Sequence, residues 1–142
     1  MGLALNVAVL LREWFLAHEA KGPIGTLGVM DVGFTEKAFF KAIGKMSLWP
    51  SADRAMDARN YFERCGLTDL FSIDVSKYEG ADFEFDLNSD DLPSELRGKF
   101  GVVLNGGTLE HVFHVPNALT NISRMLMPGG LAVHIFADEQ LR

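Results

Sequence analysis

Asp74 and Asn105 each close a short apolar run, Leu70-Phe71-Ser72-Ile73 and Phe100-Gly101-Val102-Val103-Leu104, and Asp86 closes a strand-like alternation of phenylalanines with acids, Phe83-Glu84-Phe85. Gly28 follows a similar run, Ile24-Gly25-Thr26-Leu27, and Gly106-Gly107 follow Asn105. Runs of this kind read as buried strands, so these residues would stand at strand ends. A carboxylate there can accept both hydroxyls of a ribose, and hydrogen bonds to a charged group contribute about 1.5–3 kcal/mol. Acids at two successive strand ends suit a ligand offering hydroxyls and a positive charge better than one offering phosphates. Paired glycines at Gly106-Gly107 let the backbone approach such a ligand with no Cβ in the way. His111 lies just beyond, and its imidazole can either serve as a general base or cap the following helix.

Other chemistries fit the spacing less well. His111 and His114 stand three apart beside Glu110, but the His-Glu-x-x-His pattern is absent and a third ligand would have to come from elsewhere, so no metal is expected. Gly22, Gly25 and Gly28 do not make Gly-x-Gly-x-x-Gly, and the next strand-end acid, Asp74, lies far beyond the roughly 20 residues that a nicotinamide site uses. No lysine follows a glycine loop in the manner of a P-loop. Asn121-Ile122-Ser123 spells a glycosylation sequon inside a helical segment.

The elements that must position these residues alternate along the chain. Leu3, Val7, Leu10, Leu11 and Trp14 repeat at helical spacing up to the stop at Gly22-Pro23. Residues 24–32 read as the first strand and its turn, residues 35–43 as a short helix, and Trp49-Pro50 as a break. Ser51 predicts an N-cap for a helix over residues 52–65, with Ala55, Ala58, Phe62 and Cys65 on one face and Gly66 just past its end. Strands follow at 70–74, 82–86 and 100–104. Pro116 then opens a helix with Leu119, Ile122 and Leu126 on one face, Pro128-Gly129-Gly130 ends it, and residues 131–136 form the last strand. Strands alternating with helices imply one α/β domain over residues 1–142, with a mostly parallel sheet of about five strands and helices on both faces.

Composition narrows the function. Of 142 residues, 13 are Lys or Arg and 19 Asp or Glu, giving a net charge of -6, which disfavours nucleic acid or an anionic membrane as partner. With 48% hydrophobic residues and 11 phenylalanines, the chain is far from the disordered signature. Those phenylalanines leave room for an apolar interface and hence for a homo-oligomer. The apolar stretch at the N-terminus lacks a leading basic residue and is interrupted by Arg12 and Glu13, so neither a signal peptide nor a membrane span is expected. A single cysteine, Cys65, fits a reducing cytoplasm.

Phe71-Ser72-Ile73-Asp74, Phe85-Asp86-Leu87, the segment from Phe100 to Val112 and Met127-Pro128-Gly129-Gly130, in this order and spacing, resemble the class I S-adenosylmethionine-dependent methyltransferases. The resemblance covers a little under half of the chain. It implies a Rossmann-like three-layer sandwich and transfer of a methyl group from S-adenosylmethionine to a small-molecule acceptor. It further implies that Asp74 holds the ribose, that Asp86 and Leu87 meet the adenine, and that Gly28, Asn105 and Gly106 meet the methionyl portion. His111 is then the candidate base. Two features depart from the family pattern. Its Gly-x-Gly-x-Gly loop is not intact: aligned on Gly28, which strand placement favours, the other two positions hold Met30 and Val32, and aligned on Met30-Asp31-Val32-Gly33 the acid and first glycine are followed by Phe34 and Glu36. The strand pair that usually follows the fifth strand is also absent. These departures keep a rival expectation open: a non-catalytic or truncated methyltransferase-like domain serving as a binding or assembly module.

Overall fold

A computed structural model describes residues 2–49 and 53–136. Its centre is built from the apolar runs. Ile24–Leu27 (β2) is buried at every position, as is Phe100–Asn105 (β6), while Leu70–Asp74 (β4) is half-buried apart from the buried Ile73. Phe83–Glu84 (β5) and Leu126–His134 (β7) complete a five-stranded sheet in the order β5-β4-β2-β6-β7, with every pairing parallel. The fold is thus the expected Rossmann-like α/β sandwich.

Side chains alternate across this sheet and enter two cores. On one face Ile24, Val102 and Leu104 meet Leu11 and Phe15 of Leu5–Ala17 (α1) and Phe39 of Glu36–Ala42 (α2). Tyr61 and Phe62 of Ala58–Arg64 (α3) join the same core. On the other face Leu27, Ile73 and Val103 meet Leu96, Leu109 and the Ala118, Ile122 and Met125 side chains of Val115–Met125 (α4). From β2 the chain moves outward to β4 and β5, then crosses to β6 on the opposite side. That reversal between β2 and β6 opens a crevice beyond the carboxyl ends of the strands, where ligands bind in sheets of this type.

Several boundaries differ from those expected. Leu3 is not on the first helix; with Gly2 it forms a two-residue strand, β1, parallel to Asp31–Val32 (β3). The helix expected over 52–65 begins only at Ala58, because the Asp57 carboxylate accepts the Asn60 N–H at 2.7 Å. The preceding residues run extended against the entry to α2: Glu36 N–H donates to Arg54 O, Met56 N–H donates to Phe34 O, and Ala55 bridges Thr35. Ser51, the expected cap, lies outside the described residues. The strand expected over 82–86 is confined to Phe83–Glu84. Leu119 is 45% exposed, since α4 buries Ala118, Asn121, Ile122 and Met125 instead. Leu126 leaves the helix and begins β7, whose register against β6 shifts between Phe100 and Val102 at the Pro128-Gly129-Gly130 segment. Thr35, by contrast, caps α2 by accepting the Ala38 N–H, and Gly66 takes the left-handed conformation (φ 81°) that ends α3.

Cys65 sits in the aromatic core beside Tyr61, whose hydroxyl donates to Ala8 O at 2.7 Å. Burial pushes the Cys65 thiol up to about 11 and pushes the Tyr61 phenol well above its usual value. Both groups therefore stay protonated in the folded chain after their unfolded counterparts ionise. The folded state binds the extra proton, so stability falls as pH rises from about 9, the ordinary thiol value, through about 11. Denaturant midpoints measured across that range are expected to fall, and Cys65→Ala to flatten the lower part of the decline. A native thiol titration at pH 8 should find Cys65 unreactive until the chain unfolds.

Candidate functional site

Beyond the carboxyl ends of β2, β4, β5 and β6 the structure opens a cleft of two adjoining lobes. The first, about 380 Å³, is lined by Ile73, Asp74, Phe85, Asp86, Leu87, Asn88 and Val112, among others. The second, about 540 Å³, is lined by Gly28, Val29, Gly106, Gly107, Glu79, Glu110, Ile135 and Phe136, among others. Asp74, Thr108 and His111 line both. Each lobe falls within the volume range of small-molecule sites, about 300–1,000 Å³.

Six of the residues singled out in the sequence come together here. Asp74 is half-buried at the end of β4, and its Oδ1 accepts the Val75 N–H at 2.6 Å while Oδ2 has no protein partner among the described residues. Asp86 is exposed, and its Oδ1 accepts both the N–H and the side-chain amide of Asn88, each at 2.9 Å. Leu87 is buried, and its carbonyl accepts the Asn121 amide at 3.1 Å. Gly28 is left-handed (φ 87°), the region that favours glycine, and its N–H donates to Ile73 O at 2.7 Å. Gly106 contributes to the second lobe, and His111, in the short turn Thr108–His111, is exposed.

Asn105 is placed differently. It is fully buried and does not line the cleft; its Oδ1 accepts the Leu109 N–H at 3.0 Å, fixing the turn that carries Thr108 and His111. Its Nδ2 is buried without a partner among the described residues. Capping of α4 falls to His114, whose Nδ1 accepts the Asn117 N–H at 3.1 Å. Met30 and Val32, which occupy the positions of the missing glycines, pack into the core beneath α1 and α2, and neither lines the cleft.

The residues that organise the cleft include some that sequence reasoning missed. Thr108 Oγ1 donates to Leu27 O at 2.6 Å, tying the loop after β6 to the end of β2 across the point where strand order reverses. Asn117 and Asn121 reach from α4 to the loop after β5, and both donate to Ser89 O at 2.8 Å. Asparagines are poor helix formers, and two in one short helix, four apart, were the available signal. Thr108→Val is expected to lower stability by about 1 kcal/mol, the worth of one hydrogen bond, with Thr108→Ser near the parent. Chemical denaturation of the three chains checks this.

Among the described residues no helix is long and apolar enough to cross a membrane. No protein-family model matches this chain, and no curated protein matches it.

Proposed function

We propose that the chain binds S-adenosylmethionine in this cleft and transfers its methyl group to a small-molecule acceptor. The observation that carries the reading is the convergence of Asp74, Asp86, Leu87, Gly28 and Gly106 on one cleft at the reversal of strand order. The residues present fit the cofactor. Asp74 keeps one carboxylate oxygen for a ribose diol, and the Leu87 N–H, which has no partner among the described residues, can meet a ring nitrogen. Gly28 leaves backbone exposed where a Cβ would stand only 3.4 Å from Thr108 Oγ1. The core packing of Met30 and Val32 supports close approach over Gly28 despite the altered glycine pattern. When bound, the cofactor supplies an electrophilic methyl group on a sulfonium.

The chain's own part is positioning. Two reactants held in near-attack geometry need neither a metal nor a covalent intermediate, and His111, at the junction of the lobes, can accept a proton from the acceptor. A buried thiol at Cys65 suits a reducing cytoplasm. Calorimetric titration with S-adenosylmethionine, S-adenosylhomocysteine and a nicotinamide dinucleotide tests the reading. Saturable binding of the first two and none of the third is expected. Absence of S-adenosylmethionine and S-adenosylhomocysteine binding by the folded chain would leave the rival reading, a non-catalytic module.

A further inference from the structure

Asn117 and Asn121 stand one turn apart on α4, and neither lines the cleft. Their side-chain amides are committed to three consecutive carbonyls of the loop after β5. Asn117 Nδ2 donates to Leu87 O at 3.3 Å, to Asn88 O at 3.0 Å and to Ser89 O at 2.8 Å. Asn121, fully buried, donates to Leu87 O at 3.1 Å and to Ser89 O at 2.8 Å. The peptide joining Leu87 to Asn88 is therefore held at both ends, because its N–H donates to Asp86 Oδ1 at 2.9 Å. The neighbouring peptide, which presents the Leu87 N–H, is fixed through its own carbonyl, Asp86 O, by the Ser89 N–H at 2.9 Å. A second tie runs from the start of α4: His114 N–H donates to Asn88 Oδ1 at 2.9 Å, and the Asn88 amide donates to Asp86 Oδ1 at 2.9 Å. Resting on the cofactor reading above, we propose that Asn117 and Asn121 are positioning residues that make the site select adenine over a 6-oxo purine.

The chemistry of the two bases explains why a fixed loop matters. Adenine presents an amino donor beside a ring-nitrogen acceptor, whereas hypoxanthine presents a carbonyl acceptor beside a ring N–H donor. The Asp86 carboxylate and the Leu87 N–H match the first pattern and oppose the second. A loose loop could answer the second by turning a peptide, since each peptide carries its donor and acceptor on opposite sides. Here that turn would break the bonds of both asparagines and of Asp86 together, and it would strand the buried Asn121 amide without its acceptors. Asparagine is also a poor residue for a helix interior, so the pair serves the loop rather than α4 itself.

Calorimetric titration with S-adenosylhomocysteine and with S-inosylhomocysteine, which differ only in the base, reads the selectivity. The parent is expected to prefer the adenine ligand by at least about tenfold, because a reversed donor pattern leaves polar groups of the site unpaired. Asn117→Asp keeps the shape but loses the donors, and Asn117→Ala loses them without adding a charge. Both should cut the preference to about threefold or less, chiefly through weaker S-adenosylhomocysteine binding. Ala118→Gly is the structural control: it weakens α4 at a buried position without touching the loop amides, so stability should fall while the preference holds. A melting curve shows that each chain is folded at the temperature of titration. A parental preference in either folded Asn117 variant, or an equal loss of preference in Ala118→Gly, would overturn the assignment. Equal binding of the two ligands by the parent would also overturn it, while leaving the cofactor in the cleft. Failure of the parent to bind S-adenosylhomocysteine at all would instead remove the cofactor reading, and the assignment with it.

Discussion

Asp74→Ala is expected to weaken S-adenosylhomocysteine binding by roughly 10- to 100-fold, the loss that follows from removing hydrogen bonds to a charged acceptor. The magnitude rests on the carboxylate's setting. β4 carries Asp74 to the lip of the cleft, half-buried, with Oδ1 pinned by the Val75 N–H and Oδ2 without a protein partner among the described residues. Such a carboxylate is already oriented, so little conformational freedom is lost when a diol approaches. Asp74→Asn keeps the shape and one acceptor but loses the charge, and should fall between the parent and alanine. Asp86→Ala should cost less, because Asp86 is exposed and one of its oxygens holds Asn88. Calorimetry on the three variants gives the order, and an Asp74→Ala chain that binds like the parent would remove Asp74 from the site.

Gly101→Ala should produce the largest loss of stability. Gly101 lies in β6, buried at every position, and its N–H donates to Pro23 O at 2.8 Å. That bond draws the segment leading into β2 against the strand, so a Cβ at Gly101 would collide with the backbone carbonyl of Lys21. Backbone cannot rotate away as a side chain can. The expected cost is therefore at the upper end for overpacking, about 3 kcal/mol. For a chain of this size that lowers the melting temperature by roughly 10 °C. Gly2→Ala is the control, since among the described residues nothing lies within 4 Å of its Cβ position. Melting curves of the two variants check the contrast, and a Gly101→Ala chain that melts with the parent would contradict it.

Gly101 also shows where sequence reasoning reaches its limit. The run Phe100–Leu104 announces a buried strand because apolar side chains in a short block have few other uses, and the same holds for Leu70–Ile73. Why a glycine interrupts that run depends on Lys21, far away in the chain, and no local pattern encodes it. The pairing of Gly2–Leu3 with Asp31–Val32 is hidden for a related reason: two-residue strands have no period to read. The start of α3 is not legible because Ser51 and Asp57 are both good cap residues, and the extended pairing of residues 54–56 with residues 34–36 places the start after Asp57.

The candidate site divides along the same line. Asp74 and Asp86 were visible because strand ends are visible, and the residue closing a strand is carried to the crevice by topology alone. Asn105 closes a strand too, yet its side chain turns to cap the Thr108–His111 turn, a choice made by the Leu109 N–H. Thr108 and Asn121 act through hydrogen bonds to Leu27 and Leu87, residues distant in sequence, so only the folded chain assembles those contacts.

An amide chemical-shift map recorded on addition of S-adenosylhomocysteine tests the central claim most directly. The account predicts saturable shifts confined to the lips of the two lobes: Gly28-Val29, Asp74-Val75, Asp86-Leu87-Asn88 and Gly106-Gly107-Thr108. Shifts centred elsewhere, or none at millimolar ligand with the spectrum of a folded chain, would contradict it.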